Sequence, residues 1–527
     1  MIRYVRTLPW LQPSQVTFYA VSELTSVSGR SSRSTSTTTV FFRSRWLRGA
    51  PGCVTPHHNL YARDNIIYCI MINRERELEW LTSHLKRDDR QFLVVYGRRR
   101  VGKTTLVTTA LDSLEQETQY YLCDQRGPQH NATQFARQCA DHFDDVPPDV
   151  DTFLDAFRYL KGRADGPFVV ALDEFSYLVG EDETIPSVFQ TIVDEVLADT
   201  DISIVLLGSS ISMMEEGVLS YESPLYGRRT GQWRLEPLTI GDVSKFFPRY
   251  DADATIQTYS VLGGVPAYLE QFDGTQDLFS NIEQHILSKG AFLYEEPEFL
   301  LRQELREPTT YMAILEAIAN GATRVTDIAN SIDKKASGIS RYLQNLTQLA
   351  LVERETPVTD PDGRGVYKLT DQFVRFWFRY VSPNRGTLEQ GRTEPVRESI
   401  AETVPTHTSF AFEEVCRQAA RAPSFPVSSS RVGRWWYSEQ EIDVVGLNPQ
   451  AKSLFLGECK WTTSPVGRSL LDDLEATEPD VRWQGSDRDV AYGLFSRSGF
   501  TDELVERAAQ REDVHLFTPS DVLALFE

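Results

Sequence analysis

Cysteine is scarce in this 527-residue sequence, and the six that occur form no CxxC pair. Their scatter indicates neither a disulfide framework nor a zinc site, and it is typical of a protein in a reducing cytoplasm. Because no run of about 18 apolar residues is present, we expect no transmembrane helix and no membrane partner. An apolar leader with a cleavage site is also missing, so we expect no signal peptide.

Lysine is rare as well, since only 10 of the 54 basic residues are lysine, and the net charge is −21. An acidic excess of this size ordinarily disfavours nucleic acid as a partner. Few lysines among many Asp and Glu also resemble the composition of proteins adapted to high salt, as in haloarchaea. In that interpretation the acidity reflects the solvent and leaves a DNA partner open.

Residues 1–70 differ from the rest in charge. They hold 8 basic and 2 acidic residues, a net charge of +6, which leaves −27 for the remainder of the chain. Part of this region is a low-complexity run of Ser and Thr. We interpret Met71 as the natural start and residues 1–70 as an unstructured extension translated from non-coding sequence. The alternative is a disordered basic arm that contacts nucleic acid.

A glycine-punctuated loop follows the first clear strand, Phe92 to Val95. Gly97, Gly102, Lys103 and Thr104 fit the phosphate-loop pattern GxxxxGK[ST], in which backbone N–H groups and a helix N-terminus surround a phosphate. The alternative is a glycine-rich turn without a ligand. The pattern predicts an ATP site formed by Gly97, Arg98, Arg99, Arg100, Val101, Gly102, Lys103, Thr104 and Thr105.

The same pattern assigns roles within that site. Lys103 is expected to reach the β- and γ-phosphates, and the Thr104 hydroxyl is expected to hold Mg²⁺. A second apolar strand, Phe168 to Leu172, ends in Asp173 and Glu174. We expect Asp173 to bind Mg²⁺ through water and Glu174 to orient or deprotonate the attacking water. A solvated acidic turn is the alternative.

A third apolar strand, Ile202 to Leu207, ends before Ser209. We predict Ser209 as a polar sensor of the γ-phosphate, with a helix N-cap at Ser209 or Ser210 as the alternative. Arg228 and Arg229 follow in a loop. They could supply a finger to a phosphate, in their own subunit or across a homo-oligomer, or be solvated. Strands that alternate with helices predict an α/β fold with a parallel sheet covered on both faces.

The order of these motifs resembles the archaeal ATPases of the AAA+/STAND group. The resemblance rests on INREREL, GRRRVGKT, VVALDEF, LLGSS, PLYGRRTG and GGVPAYL, which occur in this order. It implies a P-loop ATPase domain at 71–298 with a helical lid. It also implies that Pro266, in the Gly-x-Pro at 264–266, lies over the nucleotide base.

Residues 299–385 predict a winged helix-turn-helix. The third predicted helix presents Ser337, Arg341, Gln344 and Gln348 outward, and residues 300–385 hold 12 basic and 10 acidic residues. This local excess of positive charge favours DNA as partner, whereas packing against the ATPase or another protein is the alternative. The predicted elements are helices at 311–320, 325–332 and 336–349 and strands at 351–355 and 365–369.

An aromatic segment, FVRFWFRY at 373–380, closes this region. Alternating aromatic and arginine residues could stack on bases. We favour instead a buried helix that docks the winged helix onto its neighbours. A polar linker is predicted at 386–399.

The last domain, 400–527, carries a second acidic motif. Two predicted strands, 441–447 and 453–461, form a hairpin whose centre places Asp443 opposite Glu458, and Lys460 lies two residues further on the same face. Opposed carboxylates beside a lysine indicate a metal-dependent phosphodiesterase, with a hairpin of solvated charges as the alternative. Asp443 and Glu458 would bind Mg²⁺, Glu413 from a helix at 410–420 would complete the shell, and Lys460 would position or activate the water.

This pattern resembles the PD-(D/E)XK, restriction-endonuclease-like superfamily, although Ile442 stands where its name has proline. GRWW at 433–436 and SRSGF at 496–500 are similar to the C-terminal domain of the same archaeal ATPases. We therefore predict an ATPase that acts on DNA. The alternatives are an ATP-switched DNA-binding regulator with an inactive nuclease fold and a STAND-like scaffold with a protein partner.

Overall fold

The computed structural model describes residues 72–526, except 306 and 486, together with residues 62, 63, 66 and 67. All of them belong to one compact unit, 59–527. The predictions for residues 1–70 and for Met71 lie outside the described residues, apart from a short antiparallel pair. Its strands are β1 (Ala62–Arg63) and β2 (Ile66–Ile67).

The first large sheet is entirely parallel, as the sequence predicts. Its strand order is β4-β5-β6-β3-β7, so the phosphate-loop strand β3 lies between β6 and β7. Strands β3, β5 and β6 are buried along their whole length, which explains their continuous apolar sequences. The bounds are β3 (Phe92–Tyr96), β4 (Glu117–Leu122), β5 (Phe168–Asp173), β6 (Ile202–Gly208) and β7 (Gly231–Arg234).

Helices cover both faces of this sheet. Val94 of β3 belongs to a core with Phe135 and Phe157, whereas Val95 belongs to a second core with Leu106. Successive strand residues therefore point to opposite packed layers. The helices are Glu75–Leu85, Lys103–Asp112, Pro128–His142, Phe153–Lys161, Phe175–Glu181, Ile185–Thr191 and Ile211–Met214, with π-helical turns at Ile192–Val196 and Glu215–Leu219.

A helical region follows, as expected for a lid. Asp251 caps the helix Ala252–Leu262, and its side chain accepts a hydrogen bond from the Ala254 N–H. The last helix of the region crosses the predicted domain boundary at 298/299. The helices are Ile240–Phe246, Ala252–Leu262, Pro266–Leu269, Leu278–Ile282 and Glu296–Glu304, with a π-helical turn at Glu283–Leu287.

Three helices and a hairpin then occur where the sequence predicts them. Ile339, Leu343 and Leu346 of the third helix are buried, and Ser337, Arg341 and Gln344 are exposed. The elements are helices Pro308–Ala319, Val325–Ser331 and Ala336–Gln348, followed by antiparallel strands β8 (Val352–Glu355) and β9 (Val366–Leu369).

The segment predicted as a polar linker is mostly helical. Arg385–Leu388 forms a short helix, and Glu394–Ala419 is a continuous helix of 26 residues. The longer helix runs through the predicted domain boundary at 399/400. The prediction of a linker is wrong here, because a polar composition does not exclude a helix and the prolines do not interrupt this one. One proline lies in the first turn, where a missing N–H costs nothing, and Pro405 is tolerated inside the helix.

The C-terminal region forms a mixed sheet. Its order is β10-β11-β12-β13-β14, antiparallel between the first three strands and parallel thereafter. Among the described helices of the chain, none has the length and apolarity to cross a membrane. The elements are β10 (Arg431–Tyr437), β11 (Gln440–Asn448), β12 (Ser453–Lys460), β13 (Asp489–Ser496) and β14 (Val514–Phe517), with helices Arg468–Thr477, Asp502–Ala509 and Pro519–Ala524.

Candidate functional site

The phosphate loop leaves β3 with a backbone shape that requires glycine at its first position. Gly97 has φ +151°, and a Cβ there would lie 2.3 Å from the carbonyl oxygen of Leu235. Gly102 has φ +97° and caps the helix Lys103–Asp112. These two glycines let the chain curl over the end of the sheet, as the motif predicts.

The polar side chains of Lys103 and Thr104 lie at this edge of the sheet, and each has a hydrogen-bond partner there. The Lys103 ammonium donates to the carbonyl oxygens of Gly97 at 2.9 Å and Arg98 at 3.0 Å, so the lysine folds back along the loop. The Thr104 hydroxyl donates to Asp173 Oδ2 at 2.6 Å. Hydroxyl and carboxylate oxygens are donors that suit Mg²⁺, so the pair fits the ion expected there.

Glu174 lies beside this pair in a separate arrangement. Its backbone is left-handed, with φ +53°, and its Oε1 accepts a hydrogen bond from the Ser209 hydroxyl at 2.6 Å. Burial raises the pKa of Glu174, an effect that the Ser209 hydrogen bond opposes. Ser209 therefore contacts the predicted catalytic acid directly, and Ser210, one of the two N-caps that the alternative allows, precedes the helix Ile211–Met214.

The other predicted nucleotide contacts are distributed around the loop. Val101 is fully buried, Thr105 is exposed on the first turn of the helix, and Pro266 begins the short helix Pro266–Leu269. The guanidinium groups of the loop bind partners outside it: Arg98 binds Asp371, Arg99 binds Tyr177 and Gln303, and Arg100 binds Glu296.

Arg228 and Arg229 are not brought to this site by their own fold. Arg228 forms an ion pair with Asp194 at 2.8 Å and donates to the Pro224 carbonyl oxygen at 2.7 Å. Arg229 donates to the carbonyl oxygen of Leu219 at 2.9 Å. Both arginines therefore have local partners, and neither shows a contact with the phosphate loop.

The C-terminal hairpin has the register that the sequence predicts. Val444 pairs with Gly457, so Asp443 and Glu458 are the next positions along the two strands. Asp443 Oδ2 accepts a hydrogen bond from the Cys459 N–H at 3.0 Å. The Lys460 ammonium binds Glu458 Oε2 at 3.0 Å.

Glu413 completes the carboxylate centre, which we define as Glu413, Asp443, Glu458 and Lys460. Burial, with the nearby charge of Asp443, raises the pKa of Glu413 to about 7. The same two causes raise the pKa of Glu458 to about 7, although Lys460 opposes the shift. Negative charge is therefore concentrated here in a partly dry environment.

Two arginines reach into the carboxylate centre. Arg417 is buried, lies 3.7 Å from Glu413 Oε2, and donates to the Asp443 carbonyl oxygen at 2.9 Å. Arg434 lies 4.0 Å from Glu413 and 3.1 Å from Glu441. Across the described residues, no group of three or more His, Cys, Asp and Glu is arranged to hold a metal ion.

The aromatic segment packs inside the protein. Phe373, Phe376, Trp377 and Phe378 are fully buried, and the Trp377 indole donates to the Tyr294 carbonyl oxygen at 2.8 Å. Rings in this position cannot stack on bases. The prediction of a buried docking helix agrees with this packing.

Several residues that contact these sites were not predicted from the sequence. The Tyr120 hydroxyl shares Asp173 Oδ2 with Thr104, at 2.7 Å, and no local pattern marks it. Arg417 follows Glu413 by one helical turn, a spacing that could have predicted their pairing. Arg434 lies within the GRWW phrase, whose sequence carries a family resemblance but no pattern that predicts a partner for Glu413.

The parallel sheet, the glycine-shaped loop and the paired acids define a P-loop ATPase. Family comparison agrees, since residues 71–272 match the model of an ATPase domain predominantly from Archaea, and residues 377–473 match a domain described as archaeal and bacterial proteins of unknown function. An uncharacterised protein of Methanocaldococcus jannaschii is 35% identical over 399 residues, which cover 74% of this chain and 88% of the relative. The chain belongs to this archaeal ATPase family.

Solved structures were also compared. The Walker-type ATPase PABY2304 of Pyrococcus abyssi is 22% identical and covers 59% of this chain and 96% of its own, with a TM-score of 0.46. The ORC2 protein of Aeropyrum pernix, solved as ADPNP and ADP complexes, is 14% identical and covers 62% of this chain and 97% of its own, with a TM-score of 0.41.

Proposed function

We propose that this protein hydrolyses ATP at the phosphate loop and uses the ATP state to control an action on DNA. The observation that carries the ATP part is the convergence of Lys103, Thr104, Asp173, Glu174 and Ser209 at one edge of the parallel sheet. Loops at the carboxyl ends of parallel strands are where α/β proteins bind ligands.

Each group has a role that its position supports. Thr104 and Asp173 would hold Mg²⁺, which neutralises charge on the β- and γ-phosphates when bound. Lys103 would leave its carbonyl partners for those phosphates. Glu174 would orient the attacking water, and its bond to Ser209 holds the carboxylate until nucleotide is present.

The DNA part rests on the segment 299–385, which we propose is a winged helix-turn-helix. Its third helix leaves Ser337, Arg341 and Gln344 exposed on one side, while the opposite side packs into the core. An exposed polar face with an arginine, in an otherwise acidic chain, is a feature of a helix that enters a DNA groove.

For the carboxylate centre we propose a metal-dependent phosphodiesterase. Asp443, Glu458 and Glu413 are not arranged around an ion in this structure, so their side chains would have to reorient to bind a divalent ion, whose chemistry is to lower the pKa of a bound water. Lys460 would position that water, since it already binds Glu458.

A second candidate is favoured by the arginines beside Glu413. Arg417 and Arg434 supply positive charge where a metal ion would otherwise be needed. In that case the C-terminal domain grips nucleic acid without cutting it, and the protein is an ATP-switched DNA-binding regulator.

One experiment tests these proposals together. Purified full-length protein is incubated in high salt with plasmid or short duplex DNA, with and without ATP and with Mg²⁺ or Mn²⁺. Phosphate release reports the ATPase, and strand nicking that requires metal reports the phosphodiesterase. DNA retention without nicking would select the second candidate, and the absence of both would refute the DNA proposal.

A further inference from the structure

The phosphate loop is held by two acids that come from far along the chain. Arg98 Nη2 lies 2.5 Å from Asp371 Oδ2, and both side chains are buried, with 9% and 1% exposed. Asp371 follows the β8–β9 hairpin and caps the helix Gln372–Phe376, accepting a hydrogen bond from the Val374 N–H at 3.0 Å. A residue of the ATP loop is therefore joined to the segment that we propose contacts DNA.

A second link starts at Arg100. Its Nη2 lies 2.7 Å from Glu296 Oε2, and the Glu296 side chain is only 3% exposed. Glu296 also accepts a hydrogen bond from the Tyr268 hydroxyl of the lid, at 3.3 Å. The loop, the lid and the helix Glu296–Glu304 thus meet at one carboxylate.

The backbone at Arg100 indicates that its side chain is needed. Arg100 has φ +70°, in the left-handed region where a residue other than glycine is strained. Glycine would form this turn without strain. An arginine at this position gives the loop side-chain contacts that glycine cannot make. Its guanidinium pairs with Glu296 and lies over the face of Phe292, with the guanidinium carbon 4.3 Å from the ring centre.

The Arg100–Glu296 pair is weak evidence for a role in stability alone. Burial raises the pKa of Glu296 to about 7 even though Arg100 opposes the shift. The folded protein therefore disfavours the ionised carboxylate that the pair requires. Buried ion pairs of this kind often cost stability and instead fix one conformation.

We propose that Asp371 and Glu296 are positioning residues of the ATP site, which hold the phosphate loop through Arg98 and Arg100. This inference rests on the proposed ATP-binding function. Because both acids anchor residues between Gly97 and Gly102, they restrict the loop to the shape whose N–H groups face a phosphate, and preorganisation of this kind increases affinity. By linkage, nucleotide binding in turn strengthens the attachment of the segment that ends at Asp371.

The test uses two substitutions that remove charge and preserve shape. Asp371→Asn keeps a side chain that caps a helix, and Glu296→Gln keeps an acceptor for Tyr268. We expect each variant of the full chain to raise the Kd and the KM for ATP about tenfold while kcat stays within about twofold. The matched control is Glu298→Gln on the same helix, since Glu298 pairs with Arg302 and Arg385 and not with the loop.

The Arg100→Gly variant distinguishes a positioning role of the Arg100 side chain from a role of this residue in the backbone turn alone. If Arg100 serves only the turn, glycine relieves the strain and ATP binding stays equal or improves, which would overturn the proposal. If the side chain positions the loop, the variant binds ATP about tenfold more weakly, and adding Glu296→Gln weakens it no further.

A different result would count against the proposed ATP function itself. Calorimetry on the unmodified protein provides that readout, because a wild-type chain that binds no ATP refutes the ATP site before any variant is compared. Normal ATP affinity in folded Asp371→Asn, with a wild-type far-ultraviolet spectrum, refutes only the positioning role.

Discussion

The ATP site and the carboxylate centre each place acids and a lysine at the end of buried strands, but their acids have different partners. In the ATP site, Asp173 and Glu174 accept hydrogen bonds from the neutral hydroxyls of Thr104, Tyr120 and Ser209. A hydroxyl can rotate to another acceptor, or accept a bond itself, without leaving a charge behind. These acids can therefore be released to Mg²⁺ or water at small electrostatic cost.

In the carboxylate centre the partners are cations. Lys460 binds Glu458, and Arg417 and Arg434 lie beside Glu413. A partly buried carboxylate that loses a cation must gain another one, because an uncompensated buried charge is costly. The difference indicates that the ATP site is ready for its ligand, whereas the carboxylate centre must exchange one positive charge for another.

The largest expected effect comes from removing Lys103, the cation of the ATP site that is expected to reach the β- and γ-phosphates. We expect Lys103→Ala to weaken ATP binding about a hundredfold or more, because the γ-phosphate loses a charge-assisted contact. Isothermal calorimetry measures it, with exposed Lys86→Ala as control. Metal binding at Asp443 should be unchanged, and a parallel loss there would contradict the independence of the two sites.

Glu174→Gln should affect the chemical step next most strongly. The amide keeps the size of the carboxylate and removes the charge that directs water, so kcat should fall about 10²- to 10⁴-fold while ATP still binds. Single-turnover phosphate release from bound ATP reports the step. Ser209→Ala should lower kcat much less, by about threefold to tenfold, because a hydroxyl partner is replaceable. An equal loss of kcat in the two variants would contradict the inference that a neutral hydroxyl partner of Glu174 is replaceable.

Asp443→Ala should abolish Mg²⁺ or Mn²⁺ binding at the carboxylate centre and any DNA nicking, with ATP hydrolysis intact. Lys460→Ala should lower the nicking rate about a hundredfold with metal still bound. Calorimetry and a plasmid assay measure the two effects. If no metal site depends on Asp443, the cations are permanent partners and the binding-only function replaces the phosphodiesterase.

The stability of the C-terminal region should depend on pH. In the folded protein the pKa values of Glu413 and Glu458, about 7, lie above the ordinary value of 4.5. Between pH 4.5 and pH 7 the folded state therefore binds more protons than the unfolded state. The free energy of unfolding should therefore decrease as pH rises through this window. Glu413→Gln should flatten the dependence and raise the unfolding midpoint at pH 8 by about 2–4 °C. The exposed Glu439→Gln is the control, and an unchanged slope in Glu413→Gln would contradict the assignment.

The smallest expected effect is at the exposed helix. Arg341→Ala should weaken duplex binding by the full chain about threefold to tenfold and reduce the salt slope by about one. Fluorescence anisotropy over a range of salt concentrations measures both. The control is Arg392→Ala, also exposed but outside the three-helix segment. An unchanged slope would favour a docking role for this helix.

Features that depend on residues close together in the chain could be predicted from the sequence. The phosphate loop could be predicted because Gly97, Gly102, Lys103 and Thr104 act through one continuous backbone. The register of Asp443 and Glu458 could be predicted because a short turn fixes which residues of a hairpin face each other. In both cases residues that are close in sequence determine the geometry.

The partners of these groups, in contrast, depend on how distant segments pack together. Nothing near Arg98 predicts Asp371, nothing near Asp173 predicts Tyr120, and nothing near Glu413 predicts Arg434. Each pair joins elements that meet only when separate layers pack, and many other charged residues of this chain could have satisfied the same sequence pattern. Which residues pair depends on burial and distance, because the interaction energy of two charges is small in water and larger where water is excluded.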